Sequence, residues 1–278
     1  MSSLTLTTIQ SSLHWEDKAA NLAMFEKKIL GITENTEIVV LPEMFSTGFS
    51  MQPAKFAESM DGPTVSWMKN LAAKKRIILT GSLIIEEGGK YFNRLIWMLP
   101  TGQYGVYDKR HLFAFAGEDK YYSAGKKRLV ASVKGWKIML QVCYDLRFPV
   151  WARQQIHPAG ITRRVNEGEI TPEYDLLIYS ANWPERRNHA WKTLLAARAI
   201  ENQCYVIGVN RVGNDGLDNY HSGDTMVIEP MGVALYDKSH DEDVHTITLE
   251  KSALQEIRSK LPFLKDADPF TLLNDENT

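Results

Sequence analysis

Three residues whose side chains can take part in covalent and acid–base chemistry each stand just after a predicted β-strand: Glu43, Lys109 and Cys143. The apolar runs that precede them are 37–41, 104–108 and 138–142. Open α/β sheets bind their ligands outside the carboxyl ends of strands. The three side chains could therefore converge on one rim of the sheet, where a thiol would have a carboxylate and an ammonium group as neighbours.

The sequence around Cys143 allows two interpretations. The polar segment 144–147 predicts a turn and the start of a helix, with the thiol at the elbow near the positive end of that helix. This position, if exposed in a pocket, favours a nucleophilic thiolate. Free cysteine is also among the most buried residue types, so a small core residue at a strand end is the alternative. The local pattern does not decide between the two.

A nucleophilic cysteine needs a base to take its proton and a donor for the oxyanion. Histidine is the usual base, and of the seven in the chain only His111 and His221 stand where they could face a pocket. A Cys–His hydrolase is therefore one hypothesis. Glu43 and Lys109 are the better candidates, although either of them alone would be interpreted as a solvated charge in a loop.

The elements that must position these residues alternate between short apolar runs and amphipathic stretches. Helical spacing predicts helices at 16–30, stopped by Gly31, and at 63–75. Gly88 and Gly89 give a hairpin signal. The predicted strands of the first half are 4–10, 37–41, 77–85, 91–99 and 104–108.

The second half of the chain repeats this alternation. A helix is predicted to start near Leu146, and two more at 185–202 and 250–259, the first with Pro184 near its start. Residues 154–173 show no clean periodicity and predict a long surface loop. The predicted strands are 129–133, 136–142, 176–180, 205–210, 225–229, 233–236 and 244–248.

The two halves are alike, since each has a continuous apolar strand followed by a helix and hairpins. This pattern predicts a mixed sheet with helices on its outer faces. No linker rich in Pro, Gly or Ser separates the halves. We therefore expect one domain over residues 1–278, with an extended polar tail from about residue 262.

The composition is that of an ordinary globular protein, with 278 residues, 44% hydrophobic and 24% charged, and a formal net charge of -2. No basic face dominates, so neither a nucleic acid nor a membrane surface is an expected partner. No apolar run approaches the ~18 residues of a membrane span, and no signal-peptide pattern is present. Two cysteines cannot form a disulfide framework, which favours a cytoplasmic location.

Three segments resemble, in order and spacing, the signature segments of the nitrilase superfamily of carbon–nitrogen hydrolases. They are LPEMF at 41–45, YDKRHL at 107–112 and QVCYDLRFP at 141–149. Later stretches are also similar to the family: ANWP at 181–184, RAIEN at 198–202 and HSGDT at 221–225. The resemblance runs from the first strand to about residue 260. A lone Pro-Glu or Cys-Tyr-Asp would be a weak signal, but several segments in order identify the chain as a member.

The resemblance implies an α-β-β-α sandwich, a catalytic triad of Glu43, Lys109 and Cys143, and a second glutamate, Glu118, that assists the site. No metal or organic cofactor is implied. Two segments, 44–49 and 113–119, look most like the omega-amidase branch, whose members hydrolyse the terminal amide of short 2-oxo dicarboxylic acid monoamides such as 2-oxoglutaramate and 2-oxosuccinamate. The expected partners are a small-molecule amide substrate and, as in the family, a second copy in a homodimer. The loop at 154–173 is longer than this branch usually carries.

Substrate binding is expected near the nucleophile. Tyr144 presents its backbone N–H beside Cys143 as an oxyanion donor. Arg147, one helical turn further on, has a fork that suits the distal carboxylate of the substrate, or it pairs with Asp145 instead. Three aromatic residues could line the apolar wall of the pocket or simply belong to the core: Phe45, Phe115 and Trp183.

Two alternative functions stay open at the level of sequence. One is another carbon–nitrogen hydrolase, such as a nitrilase, an aliphatic amidase or a carbamoylase, because all of these share the triad. The other is a catalytically silent binding protein with the same fold. The intact Glu43, Lys109 and Cys143 argue against the second alternative.

Overall fold

The computed structural model describes residues 2–155 and 171–273. The strands are β1 Ser3–Gln10, β2 Ile38–Val40, β3 Ile78–Glu87, β4 Lys90–Met98, β5 Tyr104–Asp108, β6 Leu129–Val133, β7 Trp136–Val142, β8 Leu176–Ser180, β9 Tyr205–Val209, β10 Val212–Asn214, β11 Tyr220–Ile228, β12 Ala234–Ser239 and β13 Asp243–Glu250. The α-helices are α1 Lys18–Leu30, α2 Pro53–Phe56, α3 Pro63–Lys75, α4 Pro149–Ala152, α5 Asn188–Asn202 and α6 Lys251–Lys260. Single turns of 3-10 helix lie at Ala114–Ala116, Glu118–Lys120, Cys143–Arg147, Glu185–Arg187 and Phe263–Asp266.

The strands form two mixed sheets of similar design. The first has the order β13-β1-β2-β3-β4-β5, and the second has the order β10-β11-β9-β8-β7-β6 with β12 added beside β11. In each sheet three central strands are parallel, β1-β2-β3 in one and β7-β8-β9 in the other. Antiparallel strands extend both sheets on either side. The likeness between the two halves of the sequence is therefore visible in the sheets.

The two sheets share one apolar core, which joins residues such as Leu4 and Ile38 of the first sheet to Ile138 and Ile178 of the second. Side chains alternate along a strand, so Val39 points to the opposite face from Ile38. That outer face carries a second core, in which α1 and α3 pack on the first sheet. The helix residues of this core are Phe25, Ile29, Val65, Met68, Leu71 and Ala72.

Helix α5 covers the outer face of the second sheet through Trp191 and Leu195. It approaches β9 at Gly208, where an added Cβ would lie 2.5 Å from the Trp191 ring and 2.6 Å from Leu195. The close approach of helix and strand therefore requires a glycine at that position. The layers follow the order helix, sheet, sheet, helix, which confirms the predicted α-β-β-α sandwich.

Most predicted elements are confirmed to within one or two residues, and the differences have local causes. Helix α1 begins at Lys18 rather than at residue 16, because the Asp17 side chain accepts a hydrogen bond from the Ala20 N–H and caps the helix. Glu16 itself has a left-handed backbone, with φ 55°. Strand β11 starts at Tyr220, five residues earlier than predicted, and the short β10 beside it was missed.

The predicted helix near Leu146 is wrong in its start and its continuity. A single 3-10 turn begins at Cys143 itself and ends at Arg147, and the four-residue α4 follows from Pro149. Phe148 lies between the two with ψ 88°, because a residue before proline is disfavoured in the helical region. The thiol therefore lies in the first residue of a short, tight turn rather than before a long helix.

The predicted loop at 154–173 lies largely outside the described residues, which stop at residue 155 and resume at 171. The expected tail after residue 262 contains one turn of 3-10 helix, Phe263–Asp266, with Leu264 buried. Residues 267–273 have no regular secondary structure.

Candidate active site

The three strand ends identified in the sequence converge, but on a rim shared by both sheets rather than on one. Glu43 follows β2 and Lys109 follows β5, both in the first sheet, whereas Cys143 follows β7 in the second. Strand β5 is antiparallel to β4, which is antiparallel to β3, so β5 ends at the same edge as β2. All three side chains line one pocket of about 270 Å³.

Lys109 lies between two buried carboxylates. Its Nζ donates to Glu43 Oε1 at 2.9 Å and to Glu118 Oε2 and Oε1 at 2.8 and 3.1 Å. None of the three residues is more than 1% exposed. The Nδ2 of Asn93 donates to both carboxylates, at 2.8 Å to Glu43 and 3.2 Å to Glu118. The Phe113 N–H adds a third donor to Glu118 at 2.6 Å, so this carboxylate is held in a fixed orientation.

The charges in this cluster depend on one another. Burial alone would lower the pKa of Lys109, but the charges of Glu118 and Glu43 outweigh it and hold that pKa above the usual lysine value. Burial raises the pKa of Glu118, Lys109 opposes the rise, and the like charge of Glu43 adds to it. Lys109 is thus the neighbour that favours the charged form of Glu118, whereas Glu43 disfavours it.

The second sheet holds the Glu43 carboxylate from the other side. Asn182, two residues after β8, donates its N–H to Glu43 Oε2 at 2.9 Å, and its Nδ2 donates to the backbone oxygen of Glu43. The Oδ1 of Asn182 is buried without a partner among the described residues. Residues of both sheets therefore fix the carboxylate whose neighbour is the Cys143 thiol.

Cys143 has a left-handed backbone, with φ 45°, and is 8% exposed. Its Sγ donates to the Asn182 carbonyl oxygen at 3.9 Å. Burial raises the pKa of this thiol well above its usual value, and the charge of Glu43 raises it further, while Lys109 opposes the rise. Burial therefore opposes the thiolate that the position at the start of a helical turn was expected to favour. Cys143 is a thiol that has a carboxylate beside it.

Asp145 fixes the elbow on which Cys143 lies. It accepts hydrogen bonds from the Val142 N–H at 3.1 Å, the Tyr107 hydroxyl at 2.7 Å, and both the N–H and the Nδ1 of His111 at 2.9 and 2.8 Å. Asp145 thus ties the strand end that carries Cys143 to the segment that carries Lys109. This role excludes the alternative in which Asp145 pairs with Arg147.

Neither histidine considered as a base contacts the thiol among the described residues. His111 binds Asp145 and stacks on Phe148 at a ring distance of 3.8 Å. His221 does line the pocket, and its Nδ1 lies 3.0 Å from the Asn219 carbonyl oxygen. Burial and the nearby Arg211 lower the pKa of His221 to about 4, so it is neutral at neutral pH.

The aromatic residues expected at the pocket divide into two groups. Phe115 and Trp183 line it, Phe115 at its rim with 82% exposure. Phe45 does not, because its side chain points into the core under the helices, where its ring lies 5.6 Å from Phe25 and 5.9 Å from Trp67. Placing Phe45 on the pocket wall was therefore wrong.

The outer part of the pocket is basic. Arg147 and Arg187 line it, and both guanidinium groups lie over aromatic rings, at 5.1 Å from Trp183 and 5.0 Å from Phe113. Tyr144 lines it as well. Among the described residues, the lining consists of Glu43, Phe49, Lys109, Phe113, Phe115, Ala116, Cys143, Tyr144, Arg147, Asn182, Trp183, Pro184, Arg186, Arg187, Asp215, Leu217, Asn219 and His221.

Sequence reasoning missed the two asparagines that bind Glu43. Asn93 is buried inside β4, and asparagine is depleted in strands, so a polar amide in an apolar run was the signal available. Asn182 stands in the ANWP segment, which was noted without a role for this residue. Among the described residues, no three His, Cys, Asp or Glu side chains are grouped so that they could hold a metal ion.

Comparison with known proteins identifies the family. The family model for carbon-nitrogen hydrolases matches residues 5–259, which is most of the chain. The chain belongs to the carbon–nitrogen hydrolase family. Like the omega-amidase YafV of Escherichia coli, to which it is 40% identical over 98% of this chain and all of that one, this carbon–nitrogen hydrolase is an amidase. It is also 29% identical to the 2-oxoglutaramate amidase of Bacillus subtilis, over 94% of this chain and 96% of that one.

Solved structures agree with this assignment of the carbon–nitrogen hydrolase. A superfamily protein from Xanthomonas campestris, whose crystal structure has an arsenic adduct in the active site, superposes with a TM-score of 0.92 and 42% identity over 98% of this chain and 100% of that one. Nit3 of Saccharomyces cerevisiae, a member of branch 10 of the nitrilase superfamily, superposes with a TM-score of 0.78 at 26% identity, over 94% of each chain. Within the described residues, no helix is both long enough and apolar enough to cross a membrane.

Proposed function

We propose that this carbon–nitrogen hydrolase cleaves the terminal amide of a short 2-oxo dicarboxylic acid monoamide, 2-oxoglutaramate or 2-oxosuccinamate, to the acid and ammonia. One observation carries the proposal: a single pocket has Cys143, Glu43 and Lys109 at its base and arginines in its outer part. Such a pocket suits a short molecule with an amide at one end and a carboxylate at the other. The names of the relatives from Escherichia coli and Bacillus subtilis support the same substrate class.

In the acylation step, Glu43 takes the proton of the Cys143 thiol as the sulfur attacks the amide carbon. The raised pKa of the thiol favours loss of the proton during the attack rather than before it. Glu43 lies ready for this role because Asn93, Asn182 and Lys109 hold its oxygens in place. The product of the step is a tetrahedral intermediate with a negative charge on the former amide oxygen.

The oxyanion is held by Lys109 and by the backbone N–H of Tyr144. The first N–H groups of a helix have no acceptor within it, so the Tyr144 N–H in the turn that begins at Cys143 is available. A preorganised donor of this kind is worth roughly 3–4 kcal/mol of transition-state stabilisation. Lys109 donates to both oxygens of Glu118 at rest, so it gives up one of these contacts to reach the oxyanion.

The intermediate then collapses with cleavage of the C–N bond. Glu43 returns its proton to the leaving nitrogen, which departs as ammonia, and the acyl group stays on Cys143 as a thioester. A water molecule, deprotonated by Glu43, attacks the thioester carbon, and the thiolate leaves and recovers the proton. The sum is hydrolysis of an amide by one water, and no oxidant, metal or organic cofactor enters it.

Two further residues support this cycle. Glu118 keeps Lys109 charged, because its carboxylate lies 2.8 Å from the ammonium group in a site without solvent. Arg147 binds the distal carboxylate, since no carboxylate among the described residues forms an ion pair with it and its fork suits two oxygens. Phe115 and Trp183 supply the apolar wall beside the carbon chain.

A substrate panel tests the proposal. Ammonia release is measured from 2-oxoglutaramate, glutamine, a simple nitrile and an N-carbamoyl amino acid. The proposal expects the largest kcat/KM for 2-oxoglutaramate. A preference for the nitrile or the carbamoyl compound would assign the chain to another activity of the family, and no turnover with any compound would favour a silent binding protein.

We also propose that the enzyme is one domain over residues 1–278, is cytoplasmic, and acts as a homodimer. These three proposals rest on the family resemblance, on the absence of a linker in the sequence and on the two unpaired cysteines. Sedimentation at several protein concentrations tests the assembly, and a monomer at micromolar concentration would contradict it.

A further inference from the structure

Among the arginines of the pocket, the best enclosed is not the one that the sequence singles out. Arg147 and Arg186 are exposed, whereas Arg187 is half-buried. The Arg187 guanidinium lies over the Phe113 ring at 5.0 Å, on the pocket wall next to the residues that hold Glu118. It is therefore the arginine best shielded from water, where each hydrogen bond to a substrate is worth most.

The backbone of Arg187 is held in place by the same tryptophan that carries Arg147. The Trp183 Nε1 donates to the Arg187 carbonyl oxygen at 2.8 Å, and the Arg187 N–H donates to the Pro184 carbonyl oxygen at 3.0 Å. The Arg147 guanidinium lies 5.1 Å from the Trp183 ring. Trp183 thus contacts both residues, the backbone of Arg187 and the side chain of Arg147.

Within the described ranges, neither arginine forms an ion pair with a carboxylate. Besides Glu43, the acid in the pocket lining is Asp215, which accepts hydrogen bonds from the N–H groups of Leu217 and Asn219 and from the Asn219 amide. Burial lowers the pKa of Arg187, and the charge of Arg186 lowers it further. The outer pocket therefore has positive charge that the surrounding described residues do not balance, which is the condition for binding an anion.

We propose that Arg187 recognises the 2-oxo acid end of the substrate and, together with Arg147, excludes the corresponding 2-amino acids. The proposal rests on the function proposed above. Glutamine and asparagine have the same chain and the same terminal amide as the 2-oxo substrates, so the pocket can distinguish them only at the 2-position.

The chemistry of the two groups explains the choice. A 2-oxo acid presents three acceptor oxygens, which the planar donors of two guanidinium groups match. A 2-amino acid presents an ammonium group, which has donors only and a positive charge, and it is repelled by both arginines. A single arginine bound to the carboxylate would make no contact with the 2-position. The second arginine is therefore what distinguishes a 2-oxo group from a 2-ammonium group.

The test compares Arg187→Gln with Arg187→Lys and with Lys69→Gln, which removes one positive charge from an exposed position on α3, outside the pocket. The substrates are 2-oxosuccinamate, asparagine and butyramide. Arg187→Gln is expected to lower kcat/KM for 2-oxosuccinamate by about 10- to 100-fold, mainly through KM. It lowers kcat/KM for butyramide much less, because butyramide lacks the 2-oxo acid end, so the preference over asparagine falls. Arg187→Lys retains part of the preference, since it keeps the charge but loses the fork.

Equal losses on all three substrates, or a Lys69→Gln variant as impaired as Arg187→Gln, would overturn the assignment of Arg187. Thermal unfolding checks that each variant is folded, and if Arg187→Gln does not fold, the same ratios are measured with Arg187→Lys. Failure of the proposed function looks different. In that case the unmodified enzyme would already hydrolyse asparagine or butyramide as well as 2-oxosuccinamate.

Discussion

The two cysteines of the chain lie in different places and have one property in common. Cys204, between α5 and β9, is fully buried, and its sulfur faces the Arg198 carbonyl oxygen. Cys143 is 8% exposed and lines the pocket beside Glu43. Burial raises the pKa of both thiols. Acidity therefore does not separate the nucleophile from the core residue, and only the neighbours and the access to the pocket do.

Under the proposed mechanism, this comparison indicates how Cys143 is activated. Many catalytic cysteines have a lowered pKa and exist as thiolates at rest. Cys143 instead keeps its proton until a substrate is present, in the mechanism proposed here. A protonated thiol in a small pocket is protected from oxidants, because the thiolate is the species that oxidants attack.

The largest expected effect is the loss of activity on removal of the Cys143 thiol, compared with removal of the Cys204 thiol. Cys143→Ala should lower kcat for 2-oxoglutaramate by on the order of 10⁵-fold, because removal of a nucleophile removes the covalent route. The matched variant Cys204→Ala should keep its activity and lose only about 1 kcal/mol of stability, since a small buried atom is deleted. Ammonia release and urea unfolding give the two readouts. Residual full activity in Cys143→Ala would refute the mechanism.

The next effect separates the two roles of Glu43. Glu43→Gln should lower kcat by roughly 10²- to 10⁴-fold, as expected for loss of a general base. The same change should lower the pKa of Cys143, because the charge of Glu43 raises that pKa and the opposing charge of Lys109 remains. Thiolate absorbance is followed against pH in a Cys204→Ala background. A pKa that stays the same or rises in Glu43→Gln would show that its charge does not act on the thiol.

The dependence of kcat/KM on pH tests the part that Glu118 plays beside Cys143 and Lys109. The pKa of this buried carboxyl is raised above the ordinary glutamate value of 4.5. As the pH falls through that raised pKa, Glu118 takes up a proton and no longer balances Lys109, so kcat/KM should decline at a pH above the usual glutamate range. Glu118→Gln should change the position of this acid limb. An unchanged limb in that variant would assign it to another group.

The smallest effect concerns the outer end of the pocket. Arg147→Ala should raise KM for 2-oxoglutaramate by about tenfold or more with a smaller change in kcat, because the role proposed for the arginine is to bind the distal carboxylate and not the reacting atoms. Lys69→Ala, which removes an exposed charge on α3, is the control for net charge. An unchanged KM in Arg147→Ala would exclude the carboxylate role.

The sequence was informative where chemistry coincides with a strand end. Glu43, Lys109 and Cys143 each follow an apolar run, and the carboxyl ends of those strands meet at one edge of the sandwich. The pattern could not show that two different sheets share this edge, because a period of two along a strand does not say which sheet the strand joins.

Other parts of the site depend on contacts that have no signature in the sequence. Phe45 stands two residues after Glu43, yet its side chain lies in the core under the helices. Asn182 and Asn93 reach Glu43 from residues 139 and 50 positions away in the chain. The raised pKa of the Cys143 thiol could not be predicted either. It depends mainly on how deeply the thiol is buried in the fold, and not on the residues beside it in the sequence.

The left-handed backbone at Cys143, with φ 45°, limits how this enzyme's chemistry can change during evolution. That conformation costs roughly 1–2 kcal/mol for a residue with a Cβ and is worst for branched side chains. Serine could replace the cysteine there with little change in backbone energy. Threonine could not, because its branched side chain is disfavoured at a positive φ, so this backbone disfavours a threonine nucleophile. Glycine fits the backbone best and has no nucleophile. Selection for a relaxed backbone at this position would therefore lead away from catalysis.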